Sequence, residues 1–303
     1  IIGLCCWDWW GWSAWGIVLI LLSLCLFVWK VPIYWEQIFD TTKNVRKALV
    51  WLSVLTALLL LGNFGYAAYQ YQNALQSLEN EDTRLAAIVS LREIAGKNES
   101  KYGRIVSLLS FYARELSPWK SGKKRQPHAD ALHIAYALGS LQKDRLKVQP
   151  YIDLQGTDLR NASLLHLNFD KARFSHINLS DADLSYSSLC GCEAARANFN
   201  NSTMRFADAE SANFHLTKAR NADWSNSRFQ QSVFKYGSWE GSDLRNSRFD
   251  DAIIEGKCFQ NANLFKASMA RINTVNASFS RANLAKARLD NSVLSRAQFK
   301  EAN

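Results

Sequence analysis

Five histidines, six cysteines and the adjacent carboxylates Asp250 and Asp251 are the side chains of this chain best placed by type to do chemistry. Their spacing supports none. His128, His133, His166, His176 and His215 form no His-Glu-x-x-His pair and no other metal-ligand spacing. Cys190 and Cys192 make a Cys-x-Cys pair, but no second pair or neighbouring histidine in the sequence completes a four-ligand zinc site. Cys5, Cys6 and Cys25 lie in or beside an apolar segment and Cys258 stands alone. The six therefore sketch no disulfide framework and fit a reducing compartment. Asp250 and Asp251 read as a solvated corner rather than a general acid and base, because nothing in the sequence places them in a cleft. A glycine-rich phosphate loop and a Gly-x-Ser-x-Gly elbow are both missing. No catalytic, cofactor-binding or metal-ligating residue is assigned, no cofactor or small-molecule substrate is expected, and an enzyme is the least supported class.

The elements that carry these residues follow a different logic. From Tyr151 onward the chain divides into five-residue blocks, YIDLQ, GTDLR, NASLL, HLNFD and so on to RAQFK, followed by EAN. Thirty full blocks span residues 151–300 without an insertion, and the fourth place is Leu, Phe, Trp, Met or Ile in all but four. The second place is mostly Ala or Ser. A helix needs apolar steps of three and four and a strand needs alternation; a period of five suits a coil in which each block is one short side and one corner. The large residue and the small one two places earlier then point inward. Cys192 falls on such a small inward place, which accounts for it without a metal.

Blocks such as DADLS (181–185), RANFN (196–200), NADWS (221–225), NANLF (261–265) and RANLA (281–285) resemble the motif of the pentapeptide repeat family, A(D/N)LXX. The resemblance implies a right-handed, four-sided parallel β-helix with four blocks per coil. Thirty blocks would make about seven and a half coils, a rod of about 36 Å at the usual strand spacing. Residues twenty apart should then stack in columns, one reading Leu159, Leu179, Phe199, Ala219, Trp239, Phe259, Phe279, Phe299. In that column small Ala219 complements large Trp239. Lys257 occupies a place where other blocks put Ala or Ser, so a local distortion or a side chain reaching back to solvent is expected there.

The first 150 residues are unlike the rest. Trp10–Trp29 and Ala48–Ala68 carry no charged residue over twenty and twenty-one positions, long enough to cross a bilayer as helices. Trp and Tyr crowd the ends of the first run, as they do at headgroup level. Residues 1–69 are read as a two-span membrane anchor, residues 70–150 as a helical linker and N-terminal cap, and residues 151–303 as the β-helix. Within the linker, helical spacing covers Thr83–Ala95, then the stretch through Ile105, Leu109 and Leu116 up to Ser117-Pro118, then Ala129–Leu141. A basic loop, Lys120-Ser-Gly-Lys-Lys-Arg125, reads as a solvated turn or as a contact with anionic headgroups. RLAAIVSLREIA, YARELSPW and HADALHIAYALGSL resemble the helical module between a two-span anchor and the repeats in bacterial membrane pentapeptide proteins. The fold class expected is thus α plus β-solenoid, in an integral protein of the bacterial inner membrane. The resemblance places the repeats in the cytoplasm; the basic loop Lys30–Lys47 between the spans, by the positive-inside rule, places them outside.

Charge narrows the function. Residues 151–303 hold 19 Lys/Arg against 16 Asp/Glu, and residues 1–150 hold 17 against 11. Some pentapeptide proteins are acidic rods that imitate DNA, a reading that needs a strongly negative rod; this one is slightly positive. Basic residues alternate with acidic ones along the sequence and form no continuous stripe, so a nucleic acid is not an expected partner. What remains is a membrane-anchored scaffold whose rod docks on a protein partner or a second copy, or else a membrane effector or stress-response component whose rod senses and whose spans act. Membrane lipid is an expected partner in both. The repeat stays in phase to Asn303, so either the natural chain continues beyond it or this end docks on a partner or a second copy; docking is the preferred reading, with Leu284, Leu289, Leu294 and Phe299 of the last coil as the expected docking residues.

Overall fold

The computed structural model describes residues 42–119, 126–141 and 151–303, except for the side chains at 42–50, 57, 58, 60, 61, 63 and 64. The Trp10–Trp29 run and the Lys120–Arg125 loop lie outside these residues. The chain divides into two compact units, Ile1–Gln72 and Asn73–Asn303.

Helix α1, Thr42–Ser77, contains the uncharged run Ala48–Ala68. Trp51, Leu52, Leu55 and Leu59 on it are exposed. Among the described residues no helix is long and apolar enough to cross a membrane. The expected two transmembrane helices are thus not found there: the first run is undescribed, and part of the second has undescribed side chains.

The second unit begins with a helical module. Helices α2 (Glu81–Lys97) and α3 (Glu99–Leu116) are separated by one residue, Asn98. Its backbone N–H closes α2 on the Ile94 carbonyl, and its side chain accepts from the Lys101 amide to open α3. One residue can do both because Asn caps by its side-chain oxygen while leaving the helical conformation. Asn80 caps α2 in the same way, accepting from the Asp82 amide. Helix α4, Ala129–Leu141, packs on both, burying Leu91, Ala95, Ile105, Leu109, Ile134 and Leu138. Arg84 of α2 ties the module together: it reaches Asp130 of α4 at 2.8 Å and donates to the Leu78 carbonyl at 2.9 Å.

The module closes the first coil of the rod. Asp158 N–H donates to the Ser117 carbonyl, and the Ser117 hydroxyl donates to the Asp158 carbonyl. Pro118 pairs antiparallel with Thr157, and Asn168 N–H donates to the Gly139 carbonyl. Gly139 permits this approach, since a Cβ there would lie 2.7 Å from the Phe169 ring. The second unit thus holds the rod, its helical cap and, among the described residues, these bonds between them, as expected of a domain able to fold by itself.

The rod is a four-sided parallel β-helix. Third-place residues pair in parallel at a spacing of twenty, from Asp153↔Arg173 to Ser278↔Gln298. On one side the pairing lengthens into strands β1 (Val233–Lys235), β2 (Ile253–Glu255), β3 (Asn273–Val275) and β4 (Val293–Ser295), in the order β1-β2-β3-β4. Each corner is a tight turn. Ala162 N–H, for example, donates to the Leu159 carbonyl across Arg160 and Asn161, and Asn161 has φ 57°. All first places from Gly156 to Glu301 share this left-handed backbone, and 26 of the 30 are not glycine. A turn with positive φ at its third residue is of the type II kind and favours Gly or Asn. Side chains are held there because coil-to-coil bonds, such as Asn161 N–H to the Ser180 carbonyl, fix the backbone around them.

Large fourth-place side chains fill the interior. Phe214 meets Phe199, Trp224, Phe229, Phe234 and Trp239 with ring centroids 5.2–6.4 Å apart, all fully buried. Trp239 takes its room from two small residues. Ala219 lies in its column, and at Gly237 a Cβ would stand 2.5 Å from both the indole and the Thr217 carbonyl. Buried second-place hydroxyls reach back to carbonyls 23 residues earlier: Ser187 to Leu164, Thr217 to Ala194, Ser232 to Ala209, Ser247 to Trp224. These small polar side chains are tolerated inside because they are hydrogen-bonded; the buried hydroxyl of Thr157 in the first coil, under the helical cap, is an exception without a partner among the described residues.

Candidate interaction surface

The residues that could do chemistry are used structurally. Asp250 is buried and accepts from the Ser268 hydroxyl at 2.5 Å and the Ala270 amide at 3.1 Å. Asp251, next to it, is at the exposed corner and pairs with Arg271 at 2.7 Å, which holds its carboxyl below the usual range. The solvated-corner reading is right for Asp251 and wrong for Asp250, whose side chain turns back along the wall to staple two coils. Asp170 repeats the device, accepting from the Ser188 hydroxyl and the Cys190 amide.

The described cysteines are free thiols. Burial pushes Cys190 up to about 11 and Cys258 to about 12, and raises Cys192 as well. None is a thiolate at neutral pH, so none is a ready nucleophile. Among the described residues no group of His, Cys, Asp and Glu could hold a metal ion. His166 instead stacks on Tyr186 at 4.9 Å, and Tyr186 on Phe206 at 5.2 Å, an exposed aromatic column along one corner. The twenty-residue spacing of 166, 186 and 206 announces this column once the coil length is known.

Lys257 is exposed, and Cys258 is buried where a second-place residue belongs. The backbone achieves this with a bulge: Gly256 has φ 83°, and Cys258 N–H donates to the Gly256 carbonyl at 2.8 Å. The ladder on that side skips this coil, with no bridge at position 258. Moving one residue costs less than burying an ammonium in an apolar core.

The predicted docking residues come together in the last coils. Leu294 and Phe299 are each 37% exposed, and Leu284 and Leu289 are half-buried. Phe299 stacks on Phe279 at 5.3 Å on one face only.

The repeats match the family model described as pentapeptide repeats, in eight copies at residues 151–185, 177–215, 227–264 and 277–303. Solved structures with similarity include a trypsin-treated form of QnrB1, a plasmid-mediated fluoroquinolone resistance protein (17% identity over 49% of this chain and 78% of that one, TM-score 0.39). Another is HetL, a pentapeptide repeat protein involved in heterocyst differentiation regulation from the cyanobacterium Nostoc sp. strain PCC 7120 (21% identity, 59% and 97%, TM-score 0.20). A third is a pentapeptide repeat protein of the Arabidopsis thaliana thylakoid lumen (25% identity, 35% and 63%, TM-score 0.16). No curated protein sequence matches the chain significantly. The family match and the twenty-residue ladder agree that residues 151–303 of this chain are a pentapeptide-repeat β-helix.

Proposed function

We propose that the chain is a membrane-anchored, non-enzymatic scaffold whose rod docks on a protein partner. The observation that carries the docking half is the exposed pair Leu294 and Phe299 at places that are fully buried in the coils before them. Apolar side chains gathered at one surface, with Leu284 and Leu289 beside them, are what a protein interface covers. The anchoring half is supported by the uncharged run Ala48–Ala68 and by the exposed Trp51, Leu52, Leu55 and Leu59 of α1. Apolar side chains of that size need lipid or protein around them. The repeats are assigned to the cytoplasmic side of a bacterial inner membrane, on the resemblance in layout alone.

Two readouts test the two halves separately. Affinity purification in mild detergent, followed by mass spectrometry, should recover a stoichiometric partner that L294K/F299K loses while the rod keeps its melting transition. Unchanged partners in the double variant would refute docking at these residues. Fractionation should leave the chain in membranes after carbonate washing. Release into the supernatant would refute the anchor and leave the docking result standing. Membrane leakage on expression, lost when the apolar runs are removed, would favour the effector reading instead.

A further inference from the structure

Folding sorts charges that the linear order interleaves. Residues twenty apart share a side, so one side of the rod consists of blocks 156–160, 176–180 and so on to 296–300. That side carries seven Lys/Arg and two Asp/Glu; the other three sides of residues 151–303 together carry twelve and fourteen. Both of its carboxylates are engaged, Asp158 with Arg160 at 2.8 Å and Glu240 with Arg220 at 3.7 Å. Arg196, Lys218, Lys257 and Arg296 are exposed and form no ion pair among the described residues. Lys218 sits in the middle of the side, bridged through its backbone to Asn198 on one coil and Ser238 on the next. Lys257 is brought outward by the bulge at Gly256.

We propose that this side is a binding surface for anionic phospholipid headgroups. The sides of a β-helix are flat, and a bilayer meets a flat side over its whole length, whereas a nucleic-acid duplex is a cylinder that touches it along a line. The outward residues among the cations, such as Asn198, Asn200, Ser238 and Gln260, are short and polar. Leu216 and Tyr236 stand at the corner; no row of aromatics is present of the kind on which single-stranded nucleic acid stacks. Nor is there the central apolar anchor that dominates protein interfaces. Clustered Lys/Arg near a bilayer gain from the negative surface potential of anionic lipid. The physiological strength of this contact rests on the anchored reading, because a tether makes a weak contact intramolecular. The contact itself does not, and it is tested without the anchor.

The unit Asn73–Asn303 is mixed with vesicles of phosphatidylcholine alone or with phosphatidylglycerol added, and sedimented. The unit should co-sediment with the phosphatidylglycerol vesicles only, and less as salt rises. K218E/K257E should lower that affinity at least about tenfold. K266E/K286E makes the same change in net charge on another side and should leave affinity within about twofold. Both pairs are exposed, so circular dichroism melting should match the parent. No binding to phosphatidylglycerol vesicles, or equal losses in the two double variants, would overturn the proposal. So would displacement of the vesicles by duplex DNA at equal phosphate, which would assign the side to nucleic acid. Since residues 1–72 are absent from this experiment, its failure and the failure of membrane anchoring are separate outcomes.

Discussion

The two ends of the rod hold the same residue types at the same block place and bury them differently. Leu154, Leu159 and Phe169 in the first coil are fully buried; Leu294 and Phe299 in the last are more than a third exposed. The first coil is covered by α3 and α4, which bond to it through Ser117 and Gly139. The last coils have neighbours on one face within the described residues. Burial in this fold is therefore a property of stacking rather than of residue identity, as expected where each coil is stable only through those around it.

Substitutions can break that comparison, beginning with the most damaging. Phe214→Ala, at the centre of the aromatic core, should cost about 3–5 kcal/mol in denaturant unfolding. A cost near that of a surface site would mean the core is not packed as described. Gly139→Ala places a Cβ 2.7 Å from Phe169 and 2.9 Å from Leu167 Cβ. It should destabilise by about 1–3 kcal/mol through overpacking, and hydrogen exchange should rise first in the coils nearest α4. Phe299→Ala removes the same side chain type as Phe214→Ala, yet loses only a partly exposed stacking contact. It should cost about 1 kcal/mol; a cost equal to that of Phe214 would mean the last coil is covered. Lys257→Ala should stay within about 0.5 kcal/mol either way, because the amine is in solvent.

The smallest effect is electrostatic. Asp251 is held below its ordinary value chiefly by the hydrogen bond from Arg271. Its contribution is present above its unfolded value and is lost as pH falls through the lower folded value. A melting series should therefore show the parent and Arg271→Ala converging in strong acid and parting slightly above it, with the gap closing in high salt. A gap that persisted in strong acid would assign the effect to packing of the Arg271 stem.

Much of the rod was legible in the sequence because its signal is additive. Thirty blocks repeat one inward place, large and apolar in all but four, and the columns, the Ala219–Trp239 complement and the distortion at Lys257 all follow from the period. The Ala129–Leu141 helix was legible for the ordinary reason of helical spacing. The left-handed corners were not, because only four of the thirty first places are glycine; bonds between coils, not local preference, hold the rest. The parting of Asp250 from Asp251 was hidden for a related reason. Whether a carboxylate faces water or the neighbouring coil depends on what lies twenty residues away, here Ala270 and Arg271. The basic side was invisible for the same cause: alternation along the chain becomes segregation once the coil is closed.

The central claim is that twenty residues make one coil and that stacking supplies the burial. The most direct measurement compares the thermal melting of two deletions that start at the same residue. Removal of 221–240 takes out one full coil and keeps every column in phase, so a shorter rod with a cooperative transition is predicted. Removal of 221–223 alone exchanges inward and outward places in everything that follows, so loss of that transition is predicted although fewer residues are missing. Equal melting of the two proteins, or a less stable product from the twenty-residue deletion, would contradict the account.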